Sequence, residues 1–399
     1  MTETRKTRGI GAVIAFGLIA CLLYGLGAGI RGDIGILLKP LSAHSGLPYE
    51  DVSLCIAIME LVFGLTQPFF GLLASRKSNR LVLELGSVLL IVSMAGMLLV
   101  HSFIGLALFL GVIFGAGAGA ISFGMVLTSA IHFVGPQYSM LLAGMLNAAA
   151  GMVSFFLSPG IVALLQWGGI QTALTALGFL CALLIPITLI VTSHDPRKAK
   201  GEQEEEYVPV RKFFKEALQN RTYRLLLAGF STCGFHMVII ESHLFSQFLA
   251  FGIADYLAGW AFSVYGISTI TGALLSGYLS TRLHKGHLLG FYYGFRAVWV
   301  LGYIFFVPKT FVTALIFSAG LGFTGDATVS PTSGLVQDNF SLSKTATLIG
   351  LLFAGHQIGA FFSAYLGGVI VSATGGYSLL WIFDIILCSL ASFASLRIW

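Results

Sequence analysis

HDPRKAKGEQEEEYVPVRKFFKEALQNRTYR, residues 194–224, is the one long polar stretch in a chain of 399 residues. It carries Glu202, Glu204, Glu205 and Glu206, then Arg211, Lys212 and Lys215, while almost everything on either side is apolar. It falls near the midpoint and predicts three parts: an apolar bundle over 1–193, a linker over 194–222 and a second bundle over 223–399. Two membrane-embedded bundles joined this way can rock against each other around a buried site.

Composition places both bundles in lipid. The chain is 56% hydrophobic and 10% charged, with mean hydropathy +0.90, whereas soluble domains carry about a quarter charged residues. A span needs roughly 20 apolar residues, so the chain is expected to be an all-α membrane protein of about twelve spans in two six-helix bundles. Helices 1 to 6 are expected over 9–40, 50–74, 81–100, 103–131, 138–166 and 170–193, and helices 7 to 12 over 223–250, 256–280, 288–307, 311–337, 344–373 and 376–398. The first apolar run, Ile10 to Leu38, is too long for a signal-peptide core and lacks a small-residue cleavage site, so it is expected to stay as a helix. The 49 glycines suit close helix packing.

The net charge of +5 does not point to nucleic acid, because of where it sits. Of the 22 Lys and Arg, all but Arg31, Lys39, Arg296 and Lys309 fall on segments that share one side of a twelve-span chain, among them Arg5, Lys6, Arg8, Arg76, Lys77, Arg80, Arg197, Lys198, Arg282 and Lys285. By the positive-inside rule that side is cytoplasmic. Both termini and the linker are therefore expected in the cytoplasm of a multi-pass protein of the bacterial inner membrane. Cys21, Cys55, Cys181, Cys233 and Cys388 lie in apolar runs without metal-like spacing, so they read as packing residues and neither a disulfide framework nor a metal site is expected. The Asn339 sequon falls in a loop placed in the cytoplasm, where it would be inert.

The halves repeat. Gly71-Leu-Leu-Ala-Ser-Arg76-Lys-Ser-Asn-Arg80 follows helix 2, and Gly277-Tyr-Leu-Ser-Thr-Arg282-Leu-His-Lys285 follows helix 8. Thr128-Ser129 is echoed by Thr332-Ser333, and Gly168-Gly169 by Gly375-Gly376. These markers come in the same order, which is a parallel duplication of six helices.

Here the chain resembles the major facilitator superfamily, whose signature after helix 2 is Gly-x-Leu-Ala-Asp-Arg-x-Gly-Arg-Arg. Gly71, Leu73, Ala74, Arg76 and Arg80 match, whereas Ser75 replaces the acid, Ser78 the second glycine and Asn79 a basic residue. The resemblance implies a structural or gating role for Gly71, Arg76 and Arg80, and the missing acid puts the family's gating ion pair in doubt. Within the superfamily, Arg31-Gly-Asp-Ile-Gly-Ile-Leu-Leu-Lys39-Pro40, Cys233-Gly-Phe-His236 and His356-Gln357-Ile-Gly359-Ala360 look like bacterial relatives of monocarboxylate transporters. Those usually carry an Asp and Arg pair in helix 8, which this chain lacks.

An ionisable group inside a span costs at least about 2.5–3.5 kcal/mol, so each asks for a role. The deep acids are Asp33, Glu60, Glu241, Asp326 and Asp384, against the deep bases Arg31 and Arg296. The surplus acids must meet water, a cation or a proton. At about 1.5 Å per residue, Arg31 and Glu60 lie at like depth, which allows a structural pair, a carboxylate-binding Arg31, or both if substrate displaces Glu60. By the same counting Arg296 lies near Asp326 in depth, and it is expected to pair structurally with Asp326 or Asp384, or to act in gating or substrate binding. His236 is a candidate for binding an anion and Glu241 for carrying a proton, the plainer alternatives being a packed histidine and a solvated carboxylate. Asn147, Tyr265, His356 and Gln357 are uncharged candidates for the substrate pocket or for interhelical hydrogen bonds. Gly115-Ala-Gly117-Ala-Gly119 reads as close packing.

The sequence thus predicts a secondary transporter with substrate contacts at Arg31, His236, Asn147, Tyr265, His356 and Gln357, and proton coupling at Glu241, Asp326 and Glu60. The expected partners are a small organic anion, a coupling proton and surrounding lipid, with a monomeric state and no cofactor. Two alternatives stay open. One is an exporter of larger amphipathic compounds such as a drug or siderophore, which 33 phenylalanines would suit. The other is a non-transporting sensor, against which the chain closes at Trp399 with no appended soluble domain. No nucleophile, metal or cofactor constellation suggests an enzyme.

Overall fold

The computed structural model describes residues 10–195 and 210–398, and these are helical, with no strand among the described residues. Among the described residues eleven helices are long and apolar enough to cross a membrane. They include α1 (Ile10–Gly32), α2 (Tyr49–Arg76), α3 (Asn79–Leu99) and α4 (Phe103–Val134). The next, Ser139–Val191, has 53 residues. As one rod it would run about 80 Å, far beyond a hydrocarbon layer of about 30 Å. Its backbone leaves the helical region at Gly168 and Gly169, the latter at φ +68 and ψ −164, a conformation open essentially to glycine alone. The legs, 139–167 and 170–191, are α5 and α6. There follow α7 (Arg221–Ala250), α8 (Asp255–Leu279), α9 (Lys285–Phe306), α10 (Phe311–Asn339), α11 (Leu342–Thr374) and α12 (Ser378–Ser395). The predicted twelve legs are therefore present.

Polar residues in the short turns start several of these helices. Ser78 accepts from the Leu81 amide at 3.1 Å, Ser102 from Gly105 at 3.3 Å and Asn220 from Tyr223 at 3.1 Å, each satisfying a donor that a helix start leaves free. Ser78, a departure from the family signature, is thus the cap of α3. One boundary differs from expectation. Helix 1 does not run unbroken to residue 40: α1 ends at Gly32, a tight turn spans Ile34–Leu37, and a short helix, Leu38–Ser45, follows. Residues 196–209 of the 194–222 linker, Arg197, Lys198 and the Glu202–Glu206 run among them, lie outside the described residues, as do Arg5, Lys6 and Arg8; the helix Val210–Gln219 precedes α7.

Packing repeats between the halves. α1 packs on α5 as α7 packs on α11, α2 on α4 as α8 on α10, and α3 on α6 as α9 on α12. A Cβ on Gly115 or Gly119 of α4 would collide with α2, and one on Gly117 would press on α3 at 3.1 Å. The halves meet through α2 on α11 and α5 on α8.

Hydrogen bonds between the halves run from mid-depth to the end opposite the linker. There Tyr49 OH meets His243 Nδ1 at 2.8 Å, Ser53 Oγ donates to the Ala364 carbonyl at 2.6 Å, Lys39 Nζ donates to the Ser246 carbonyl at 3.4 Å, and the Ser372 hydroxyl donates to Glu50. Gly35 abuts the Glu241 carbonyl with no room for a Cβ. These contacts tie the two halves together at that end.

Replacing Gly169 with Ala is expected to cost about 1–3 kcal/mol through the backbone alone and to lower the thermal midpoint. Gly160→Ala in α5, where a Cβ meets nothing within 4 Å, is expected to leave the midpoint unchanged or raise it slightly; equal losses in both would refute the two-leg assignment.

Candidate functional site

Where the halves meet at mid-depth, helical regularity fails in three places. α1 stops just after Arg31, α7 widens into a π-type turn over Ile240–Leu244 that carries Glu241, and α10 is interrupted by a tight turn, Asp326–Thr328. Such interruptions free backbone groups and re-aim side chains, and in membrane bundles they mark interior sites. As the basic residue of the last turn, Arg31 also stands where a helix dipole favours a cation.

Arg31 Nη1 donates to Glu60 Oε1 of α2 at 2.5 Å and to Glu241 Oε2 of α7 at 3.1 Å. Its guanidinium carbon lies 4.7 Å from the centroid of the Phe63 ring, a stacking that suits a planar cation. Gln357 of α11 donates through Nε2 to the Glu60 carbonyl at 2.9 Å and to Glu60 Oε2 at 3.0 Å. Its Oε1 meets His356 Nδ1 at 2.8 Å. One cation and two carboxylates from three helices, with Gln357 from a fourth, are thus held together, the side chains of Arg31, Glu60 and Glu241 being 18%, 2% and 10% exposed. Charge sets the chemistry. A buried carboxylate without a counter-charge is strongly unfavourable, so the cluster has room for one further positive charge.

Three more predicted residues border this layer. Asp326 stands within electrostatic reach of Arg31, Arg296 and His356. Tyr265 is 7% exposed, its hydroxyl is buried without a partner, and it lies within reach of Glu241 and Asp326. Asp33 accepts from Ser158 Oγ at 3.0 Å.

Other expectations are corrected. Arg296 does not pair with Asp326 or Asp384. It is fully buried and donates to the Thr324 carbonyl, to the Gly325 carbonyl at 2.8 Å, to Thr324 Oγ1 at 3.4 Å and to Cys233 Sγ at 3.2 Å. The rise per residue gives Arg296 and Asp326 like heights but does not give their azimuths. Asp384 instead accepts from His236 Nδ1 at 2.8 Å, both fully buried between α7 and α12, so His236 stands apart from Arg31 as a packed histidine. Asn147 is exposed on α5, outside the hydrogen-bonded set.

In the signature loop, Arg80 Nε donates to Glu84 Oε1 at 2.7 Å within α3, and Arg76 and Gly71 are exposed. A carboxylate does reach this region, from the end of α6: Asp195 Oδ2 accepts from Ser129 Oγ at 3.2 Å. Asp195 shares with Gly71, Ser75, Asn79 and His132 a cleft of about 550 Å³. Burial pushes its carboxyl above the usual range, against the downward pull of His132, Ser129 and Asn79.

Sequence reasoning missed Phe63, Cys233 and Tyr24. Tyr24 lies within reach of Arg31, Glu241 and Asp326, and its place seven residues before Arg31, on the same helix face, was a usable signal. Cys233 stood among residues already noted but was read as packing.

A sequence profile described as Major Facilitator Superfamily matches residues 17–250 and 244–399. An uncharacterized MFS-type transporter of Bacillus subtilis (strain 168), YcxA, is 26% identical over 392 residues, covering 92% of this chain and 90% of that protein. Monocarboxylate transporter 12 of Mus musculus is 25% identical over 305 residues, which are 68% of this chain and 62% of that protein. Among solved structures, a D-xylose-proton symporter superposes with TM-score 0.71 at 11% identity, covering 97% of both chains. The nucleoside transporter NupG gives TM-score 0.76 at 13% identity over 95% of this chain and 98% of that one. At such identities the structures speak for the fold.

Removing Arg31 alone leaves Glu60 and Glu241 facing each other without a counter-charge, so Arg31→Met is expected to destabilise by about 3–5 kcal/mol. Glu60→Gln should cost less, because Glu241 still serves the guanidinium. Arg31→Met with Glu60→Gln is expected to recover part of the first loss in thermal denaturation, a coupling of about 0.5–3 kcal/mol. Simple additivity would separate the two side chains.

Proposed function

The chain belongs to the Major Facilitator Superfamily and is a multi-pass secondary transporter, and we propose that it carries a small monocarboxylate together with a proton. The observation that bears most weight is the sharing of Arg31 between Glu60 of one half and Glu241 of the other. A guanidinium binds carboxylates through paired N–H donors, so a substrate carboxylate can take the place of one of these acids. The displaced acid then has no counter-charge and must take up a proton. Anion and proton load together, and the loaded site is no more charged than the empty one.

Bonding selects which acid yields. Glu60 is held by Arg31 and by two hydrogen bonds from Gln357, while Glu241 meets Arg31 at the longer 3.1 Å. Glu241 is therefore the proton carrier in this reading, a revision of the idea that substrate displaces Glu60, and Asp326 is a second acid within reach. Because Arg31–Glu241 bridges the halves, its rupture also removes one of the contacts holding the opposite end shut. Tyr265, Gln357 and His356 supply the neighbouring polar groups that orient a small acid among apolar walls. The likeness to monocarboxylate transporter 12 supports the substrate class, and the Lys and Arg distribution supports a cytoplasmic linker.

A carboxylate panel that includes lactate, screened by thermal shift on the purified protein at two pH values, tests the reading. One acid is expected to raise the wild-type midpoint in a concentration-dependent way, more at the lower pH, and to leave Arg31→Ala unmoved. Stabilisation by bulky amphipathic compounds alone would turn the reading to an exporter. In proteoliposomes Glu241→Gln or Asp326→Asn is expected to lose the pH dependence of uptake; retention in both would sink proton coupling.

A further inference from the structure

On the outer side of the C-terminal half, α11 and α12 both pack on α7 but hardly touch each other. Between them lies a groove of about 550 Å³. Its floor is α7 from Ala228 to Phe235, one wall is Ile358 and Phe362 of α11, and the other is Leu387 and Leu390 of α12. Glycine sets its depth. A Cβ on Gly359 of α11 would collide with the Ser231 carbonyl of α7, so these helices meet backbone to backbone and the larger side chains stand up around the floor. Ile358, Phe362 and Leu390 are exposed, which opens the groove onto the hydrocarbon of the bilayer.

The floor has no donor to spare for a polar ligand. Its two hydroxyls are spent within their own helix, Ser231 Oγ donating to the Leu227 carbonyl at 2.8 Å and Thr232 Oγ1 to the Ala228 carbonyl at 3.1 Å. What fits is an apolar chain. The end nearest the linker is different. Arg224 stands one turn before Ala228 on the same face of α7. Arg397 stands in the turn that closes α12, its amide donating at 3.1 Å to the carbonyl of Ala394, which lines the groove. Tyr223 and Leu226, beside the first, share one buried core with Ala391 and Ile398, beside the second, so the two arginines flank the same mouth. Both are exposed. Arg224 donates to the Leu218 carbonyl at 3.4 Å and Arg397 lies 4.0 Å from the centroid of the Phe393 ring; among the described residues neither is in an ion pair. Two lysines at this end are matched, Lys285 with Asp338 and Lys344 with Glu216.

We propose that this groove binds one anionic phospholipid of the leaflet on the linker side, an acyl chain lying along α7 and the phosphate held between Arg224 and Arg397. An apolar groove alone takes any lipid. Two guanidiniums at its mouth select an acidic headgroup, through charge-assisted N–H donors, and basic positions between helices at the cytoplasmic surface attract such headgroups. The registers agree: at about 1.5 Å per residue, Ala228 lies about 6 Å and Phe235 about 16 Å further along α7 than Arg224. A phosphate at the arginines therefore lays the chain that follows it over the floor. The lipid bridges α11 and α12, which have little contact of their own, and holds both against the helix that carries Glu241. The site does not depend on what is transported.

Native mass spectrometry and thermal denaturation of the delipidated full chain in detergent, with dioleoyl phosphatidylglycerol or dioleoyl phosphatidylcholine added, test the site. The wild type is expected to retain one phosphatidylglycerol per chain and to gain thermal midpoint in a saturable way, with phosphatidylcholine needing at least tenfold more for the same shift. Arg224→Gln with Arg397→Gln should abolish the preference, so that the two lipids act alike. Arg282→Gln, at an exposed arginine in the turn after α8, should keep it. Ala228→Phe, at an exposed position of the floor, fills the groove and should lose the saturable shift from both lipids. A wild type that responds equally to both lipids overturns the proposal, as does a preference that survives the double arginine variant or undiminished retention in Ala228→Phe. Glycerol 3-phosphate that alone gives the full shift also overturns it, because the groove then plays no part. A dimer in place of bound lipid, dissociated by Ala228→Phe, makes the occupant a second copy and overturns it equally. The arginines face solvent, so their double variant decides the point even where Ala228→Phe does not fold.

Discussion

A single guanidinium shared by two carboxylates in a low-dielectric interior is the constraint on which the middle of this protein depends. Arg31 comes from the end of α1, Glu60 from α2 and Glu241 from α7, so the contact is made only when the two halves stand as they do here. Opposite charges attract more strongly away from water, and an acid left unmatched there is costly. The cluster is therefore a clasp between the halves, and in the proposed transport cycle it is also the site that responds to an added anion or proton.

The rest of the architecture supports that layer. Opposite the linker, Tyr49, Ser53, Lys39 and Glu50 meet groups of the other half, and Gly35 lets the turn after α1 press on the backbone of Glu241. The irregular turns at Arg31, Glu241 and Asp326 each present a charged side chain to the interior. Arg296, far from being spare, gathers the carbonyls of Thr324 and Gly325 at the interruption of α10 and so fixes the turn that carries Asp326. Gln357 and His356 then link this C-terminal cluster to Glu60.

Two corrections show how a reading of depth along helices goes astray. By height Arg296 and Asp326 belong together, and as a titratable group inside a span His236 suggests the substrate site. In the folded chain Arg296 turns to Cys233 and His236 to Asp384. A rise of about 1.5 Å per residue fixes height well, but a helix can be rotated about its axis to bring a different face to the centre. Arg31 with Glu60 was the case where height sufficed, because α1 and α2 are also neighbours in space.

Hydropathy and the length of apolar runs depend only on the order of residues, and a bilayer imposes one thickness on every span. For that reason the sequence alone determined twelve crossing helices, the duplication marked by Gly168-Gly169 and Gly375-Gly376, the family, and the prominence of Arg31, Glu60 and Glu241. The tertiary structure decided which acids share Arg31, that Asp195 rather than a residue at position 75 brings a carboxylate to the signature loop, and that Cys233 faces Arg296. Those pairings join residues as far apart in sequence as 31 and 241, and they depend on how helices are turned and packed against each other. No local pattern encodes that rotation, because it is set by the fit of all the neighbouring side chains at once.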